Sequence, residues 1–576
     1  MIATKTAPAE LATHWPTPNA WPIPGWLASG RAIIVKQGTQ RTVYRVELPG
    51  CVFFLKQHHL PDSATWLRQC LRPAKAKAEF DNLRELTRRG IAVPEPLGWG
   101  QRPGPLGVGE SFLLTRALTD VVSLDVHLNS GSVDDPRTRQ LLANDLARFI
   151  ARLHDAGVRH DDLHSGNILV RVRDDAHLFC LVDLDAVRLG APLDRGESLA
   201  ALARFTSALT PWSNRADRLR FLRAYVEARG WIDAKADLAG PRSLFMLARE
   251  IEAEAWSHNL RFWANRDRRC FKTNRYYRRV KLGSVAGHVV RSLDGDWLRR
   301  LLEDPDALFA DAVRMLKDSK SSTVAEIEAP AEDGGTRSLI LKRVRVTRRS
   351  DPLTSLVRQT PATRSWLWGQ GFLERGLPTP RPLAVLHRRR HGMLHEGYIL
   401  TELVPDAQEL QDYVADLRDP PAEQGRGKLL RQLERVARAI RELHRRDFSH
   451  RDLKAANLLV TSLWVEDTPA GAPRLMSGMS VAANRPLTTN LWFIDLVGVR
   501  LHKRLGKRRR AQNLARLNVS FLNEPMVSLS DRLRFLRVYL GWGIHGKGDW
   551  KSWWRAIAAA TVDKVARNKK SGRVLA

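Results

Sequence analysis

Apolar and polar positions alternate most regularly near the start of the chain. AIIVKQGTQRTVYRVEL (residues 32–48) and CVFFLKQHHL (residues 51–60) change sides every second residue, which predicts three strands of a small antiparallel sheet. KAKAEFDNLRELTRRG follows with a helical period, and SFLLTRAL then reads as one more strand. Further on, Leu142, Leu146, Phe149, Ile150 and Leu153 fall on one helical face, as do Leu429, Leu433, Val436, Ile440 and Leu443. The strand pattern returns at SKSSTVAEIEA, TRSLILKRVRV and GYILTELV, with the helix ATRSWLWGQGFLERG between them. Sheet-forming stretches followed by helix-forming stretches, twice over, predict an α+β chain built from two similar parts.

The polar segment after each amphipathic helix strengthens that reading. VRHDDLHSGNILV (residues 158–170) and SHRDLKAANLLV (residues 449–460) each hold a histidine, an aspartate two places on and an asparagine five further. A short apolar strand follows and delivers a second aspartate: Asp183 from LFCLVDLD and Asp495 from LWFIDLVG. Phosphoryl transfer from ATP uses this spacing, with the first aspartate beside the acceptor hydroxyl and the asparagine and strand-borne aspartate on Mg²⁺. Downstream, DRLRFLRAY from Asp217 recurs as DRLRFLRVY from Asp531. The expected fold is a tandem duplication of a bilobal, protein-kinase-like unit, with a small antiparallel β lobe and a mainly helical lobe. The expected parts are residues 1–258, a basic linker at 259–307 and residues 308–576. Glu466 to Asn490, rich in Pro, Ser, Gly, Thr and Asn, reads as an exposed loop inserted in the second part. Residues 1–30, rich in Pro and Trp, read as an extended wrap around the first lobe.

Other candidate residues take their places from this frame. Lys56 and Lys342 lie on third strands, where a lysine reaches the α- and β-phosphates. Glu79 on the following helix is the expected partner of Lys56, with Glu85 the rival; the corresponding position of the second copy is Ser365. Gly38 in KQGTQRT is the one glycine in the turn expected to cover the phosphates, and serines replace it in SKSSTV. Lys454 stands two places after Asp452, within reach of the γ-phosphate, and His164 holds that place in the first copy. His160 and His450 read as structural.

Composition narrows the partners. The 576-residue chain is 43% hydrophobic and 27% charged, an ordinary balance for a protein with ample core. Its four cysteines have no paired spacing, so neither a zinc site nor a disulfide framework is expected, and a reducing cytoplasm fits. MIATKTAPAELATHW lacks the apolar core of a signal peptide, and no apolar run reaches the ~18 residues of a membrane span. A net charge of +31 favours an anionic partner. An anionic glycolipid or saccharide acceptor fits, as does peripheral contact with the anionic inner face of the cytoplasmic membrane. Trp550, Trp553 and Trp554 beside Lys551 and Arg555 suit either such an interface or a core-capping helix. The basic, aromatic stretch Asn265 to Val280 raises nucleic acid, which is the weaker alternative.

HDDLHSGNIL and HRDLKAANLL, the segments RRGIAVPEPL and RGLPTPRPL, and the DRLRFLRxY element together resemble the lipopolysaccharide kinase group, over nearly the whole chain. The resemblance implies a protein-kinase-like fold, use of ATP and Mg²⁺, and phosphorylation of a sugar hydroxyl of lipid A–core. It implies Asp162 and Asp452 as catalytic bases, Asn167, Asp183, Asn457 and Asp495 as metal ligands, and Lys56 and Lys342 as the ATP lysines. A conventional protein kinase is the nearest alternative, but no Ala-Pro-Glu closes a peptide-binding segment after Asp183 or Asp495. A small-molecule phosphotransferase of the aminoglycoside type and a pseudokinase scaffold are the others. Asp161, in place of the usual arginine, is a departure in the first copy; Ser365 is one in the second.

Overall fold

A computed structural model describes residues 22–570 except 71, 103, 105, 106, 131, 132, 134, 211, 232–240, 294, 332, 333, 348–350, 356, 419–421, 462–490 and 542–548. The inserted loop expected at 466–490 lies outside the described residues. The chain divides into two compact units between Asn259 and Leu260.

In the first unit, five antiparallel strands line up as Ala32–Gln37, Arg41–Leu48, Cys51–His58, Ser111–Arg116 and Pro96–Gln101. Their inward residues, among them Val46, Phe53, Leu55 and Phe112, are buried beside Trp26. Trp26 belongs to a short helix, Ile23–Ala28, so the extended wrap expected over residues 1–30 gives way to helix where it is described. The helix Lys75–Arg88 turns Ala76, Phe80, Leu83 and Leu86 inward. A helical part follows, in which Pro136–Asp155 packs on Arg215–Ala228 and buries Leu142, Leu146, Phe149, Ile150 and Leu153 in the core. This is the α+β, kinase-like architecture expected from the pattern.

The second unit keeps the same five-strand order: Arg314–Asp318, Ser322–Pro330, Thr336–Arg345, Met393–Glu402 and Pro382–Arg390. It then extends the sheet to seven with the hairpin Tyr277–Leu282 and Val285–Val290. That hairpin corrects the expected linker at 259–307. Residues 260–307 belong to the second unit, and the helix Pro241–Arg266 runs through the expected linker start. Exposed arginines hide the strand in the sequence, because only Tyr277 of Tyr277–Leu282 is buried. Tyr277 packs edge-on against the wholly buried Trp366 and donates to Gln370. Gly287 lets the hairpin lie against Val385, whose carbonyl a Cβ would strike. Arg266 of the basic run pairs with Glu374 at 3.3 Å, so part of that run is neutralised within the fold, while the run's Asp267 takes a fork from Arg375.

The repeated DRLRFLRxY element has a structural role in both units. Asp217 and Asp531 complete capping boxes with Asn214 and Ser528 at the helix starts. Each also takes an arginine, Arg139 or Arg426, from the helix that precedes the polar loop. The closing tyrosines, Tyr225 and Tyr539, bond His154 and His444 at 2.8 Å. Burial, reinforced by nearby arginines, pushes both histidines down to about 3. Being neutral in the folded chain, they contribute stability that is present above pH ~6.5 and lost as pH falls toward 3. Changing both to Gln should flatten the fall in unfolding free energy between pH 7 and 4 relative to wild type. An unchanged slope would remove these residues from the acid response.

The last helix, Asp549–Lys570, settles on the second unit's core. Trp553 is buried against Tyr539, with Lys507 over its ring at 5.1 Å. No described helix is long and apolar enough to cross a membrane.

Candidate active site

Lys56 stands on the central strand Cys51–His58, and its ammonium meets the Glu79 carboxylate at 2.7 and 2.8 Å. Helix rotation decides between the two glutamates. Glu79 lies on the inner face, whereas Glu85 faces outward and bonds Arg88 and Arg89. Lys56 also reaches Asp183 at 3.0 Å, and Glu79 accepts from the backbone N–H of Leu184 at 3.2 Å. One glutamate thus fixes both the lysine and the turn that carries Asp183. Burial alone would raise the Glu79 pKa, but Lys56 and His58 bring it to about 2. Burial likewise opposes ionisation of Asp183, and Arg41 and Lys56 hold it well below the usual carboxylate range.

Asp183 has φ 61°, a left-handed conformation that aspartate tolerates better than most residues. Arg41 forks onto both its oxygens at 2.8 and 2.7 Å. Nothing in the sequence pointed to this contact: Arg41 lies at the end of the KQGTQRT turn, but its partner is 142 residues away. Gly38 closes the turn before Arg41, its N–H donating to the Arg41 carbonyl at 2.9 Å.

The polar loop is held by its own backbone. Asn167 is buried and donates from Nδ2 to the Asp162 carbonyl at 2.9 Å, which leaves its side-chain oxygen for another partner. The Asp162 N–H donates to His160 Nδ1 at 3.3 Å, while the Asp162 side chain is exposed. Burial, partly offset by Asp162 and Asp183, pushes His160 down to about 4, so the ring works as a neutral support. Val182 N–H donates to the Asn167 carbonyl at 3.0 Å and ties the loop to the turn, just after the strand Ala176–Leu181, that carries Asp183. His164 Nδ1 accepts from the Gly166 N–H at 3.1 Å, which turns the ring back on its own loop.

The second unit repeats most of this. Asn457 Nδ2 donates to the Asp452 carbonyl at 2.7 Å, Asp452 N–H donates to His450 Nδ1, and Asp495 has φ 53°. His450 also contacts the Ile494 carbonyl at 3.2 Å. Lys342 pairs directly with Asp495 at 2.7 Å. Ser365 occupies the helix position that Glu79 has in the first unit, and the lysine is correspondingly more exposed, 22% against 12%. Ser319 closes the turn that Gly38 closes in the first unit, its hydroxyl and N–H both bonding the Ser322 carbonyl. Lys454 is exposed beside Asp452. In each unit, then, a lysine, a loop aspartate, an asparagine and a strand-borne aspartate converge, and the first adds the glutamate and Arg41.

Comparison with known proteins follows the same division. The profile of the "Lipopolysaccharide kinase (Kdo/WaaP) family" matches residues 56–225 and 322–470. The 3-deoxy-D-manno-octulosonic acid kinase of Pasteurella multocida is 35% identical over 115 residues, 20% of this chain and 46% of that protein. The lipopolysaccharide core heptose(I) kinase WaaP of Pseudomonas aeruginosa is 30% identical over 201 residues, 32% of this chain and 73% of that protein. The chain thus spans about half the length of the first relative and about three quarters of the second. A solved structure of WaaP in complex with acyl carrier protein is 21% identical, covers 43% of this chain and 98% of that one, and has a TM-score of 0.32.

Proposed function

Because the chain belongs to the lipopolysaccharide kinase (Kdo/WaaP) family, we propose that it transfers the γ-phosphate of ATP to a sugar hydroxyl of lipopolysaccharide core or a related envelope glycolipid. The observation that carries this is the cluster of Lys56, Glu79 and Asp183 beside the loop that bears Asp162 and Asn167. We read the two units as copies of one design, with the first responsible for most of the turnover because it alone has the helix glutamate.

In this reading Glu79 keeps Lys56 extended toward the nucleotide, where the ammonium neutralises charge on the α- and β-phosphates. Asn167, through its free side-chain oxygen, and Asp183 would hold Mg²⁺, which when bound offsets charge on the β- and γ-phosphates. Arg41 must leave Asp183 for that, and its position after the Gly38 turn lets it follow the phosphates. Asp162 orients the acceptor hydroxyl in line with the γ-phosphate and takes its proton late in the transfer. In the second unit Lys454 adds a cation near the same place, and Ser365 favours a weaker nucleotide grip or a non-catalytic, supporting role there. The +31 charge suits an acceptor at an anionic membrane surface on the cytoplasmic side, as peripheral contact.

Incubating the chain with γ-labelled ATP, Mg²⁺ and a panel of acceptors tests the assignment. Label should enter extracted envelope glycolipid. Label confined to casein or to an aminoglycoside would replace the glycan acceptor with a protein or a drug.

A further inference from the structure

Beside Asp452, a cavity of about 410 Å³ is lined by Arg364, Arg451, Arg500, Arg516, Lys564 and Arg567, against the single carboxylate of Asp452. That volume is in the range of small-molecule sites. The cations come from five separate elements. Arg364 is on the helix Pro361–Glu374 and Arg451 in the polar loop; Arg500 is on the strand Val499–Leu501 and Arg516 on the helix Lys507–Val519. The last helix adds Lys564 and Arg567. The five arginines make no ion pair among the described residues. The Nε of half-buried Arg364 has no hydrogen-bond partner there either. Burial, then Arg500 and Arg451, push the Arg364 pKa below its ordinary value, as burial, Arg567 and Arg451 do for Arg516. Like charges held together at this density repel unless an anion joins them.

The first unit lacks this feature at the positions that can be compared. Strand pairing sets Arg500 opposite Ser449 as it sets Arg188 opposite Arg159, so Arg188 and Arg500 correspond. The residue after the loop histidine is Asp161 in the first unit and Arg451 in the second. Asp161 neutralises Arg188 at 2.7 Å, whereas Arg451 adds to Arg500.

We propose that the arginine cage beside Asp452 binds a phosphate-class dianion, carried by the acceptor saccharide or free in solution. The acceptor-borne case rests on the glycan-kinase reading above, and it deepens that reading. The second unit then engages a saccharide that already bears a phosphate, so a prior phosphorylation must supply it, while the first unit makes no such demand. Guanidinium forks suit a phosphate's oxygens, and several can share one group.

The test is equilibrium binding to the full chain, with a non-hydrolysable ATP analogue and Mg²⁺ saturating the nucleotide sites. Three probes are compared: deacylated envelope core oligosaccharide, the same material after chemical dephosphorylation, and orthophosphate alone. Wild type should prefer the phosphorylated oligosaccharide by at least about tenfold. Arg364→Gln with Arg500→Gln should weaken that probe about 10- to 100-fold and erase the preference, while the paired Lys changes, which keep the charge without the fork, should cost less and leave part of it. Relief of like-charge repulsion means the Gln pair should melt no lower than wild type. Arg567→Gln, on an exposed stretch of helix, gives a smaller loss of the same kind should the pair unfold. Orthophosphate binding that the Gln pair abolishes, with no gain from the saccharide, supports the cage with a free dianion. Equal binding of all probes by wild type and the Gln pair overturns it. If glycolipid labelling fails while the binding difference stands, the glycan-kinase reading alone is lost; if labelling proceeds and the variants bind as wild type, only the cage is.

Discussion

Lys56→Met is expected to cut phosphate transfer by the first unit about a hundred- to a thousandfold, and to lower that unit's stability in the same stroke. Lys56 is 12% exposed and sits between Glu79 and Asp183, and Glu79 is 5% exposed. Methionine fills much the same space without the charge. Glu79 is then left with the Leu184 N–H and with His58, 3.6 Å away. Removing one member of a buried ion pair typically costs about 3–5 kcal/mol, because the other charge stays desolvated. Adding Glu79→Gln to Lys56→Met should restore most of the stability and none of the transfer. Urea unfolding and a transfer assay on the four chains would show it. Stability that falls further in the double change would mean the pair is not the coupled unit described here.

Asp183→Asn is the second large effect, and it separates catalysis from folding. Asparagine tolerates the left-handed backbone that Asp183 adopts, so the turn should keep its shape. The change removes the acceptor of Arg41 and Lys56 and one of the two groups expected to hold Mg²⁺. Transfer should fall by about 10²- to 10³-fold, the range seen when a group that stabilises transition-state charge is lost. Because Asp183 is ionised only with the help of its cations, its contribution to stability is present above pH ~4 and disappears as pH falls further. Asp183→Asn should therefore remove part of the acid-induced loss of stability below pH 4 while leaving the neutral-pH fold in place. Unaltered transfer with a changed acceptor KM would place Asp183 outside the nucleotide site.

How far the sequence could be read depended on whether a feature was local. The two polar loops were legible because their spacing is set within ten residues by backbone bonds such as Asn167 to the Asp162 carbonyl. The sheet before each loop was legible from strict alternation. The Lys56 partner was half legible: composition offered Glu79 and Glu85, and only the rotation of the helix, set by Ala76, Phe80, Leu83 and Leu86, chose the first. The hairpin Tyr277–Leu282 with Val285–Val290 was hidden because its outward residues are basic and few of its side chains are buried. Arg41 on Asp183 and the arginine cage escaped for one reason. Each joins residues from distant elements, and an arginine in a chain with 93 Lys and Arg carries no signal of where its charge will point. The recurring DRLRFLRxY element was recognised as a repeat, but its use for a helix cap, an arginine pair and a histidine–tyrosine bond needed the fold.

The claim that the first unit is an ATP-dependent glycolipid kinase is tested most directly by labelled γ-phosphate transfer with two single changes. In both loops the backbone of the aspartate, more than its carboxylate, carries the loop's hydrogen bonds, so Asp162→Asn and Asp452→Asn should fold normally. The account predicts that Asp162→Asn abolishes most labelling of envelope glycolipid and that Asp452→Asn leaves most of it. Labelling that survives Asp162→Asn and vanishes with Asp452→Asn would contradict it, and would move the catalytic centre to the unit without the helix glutamate.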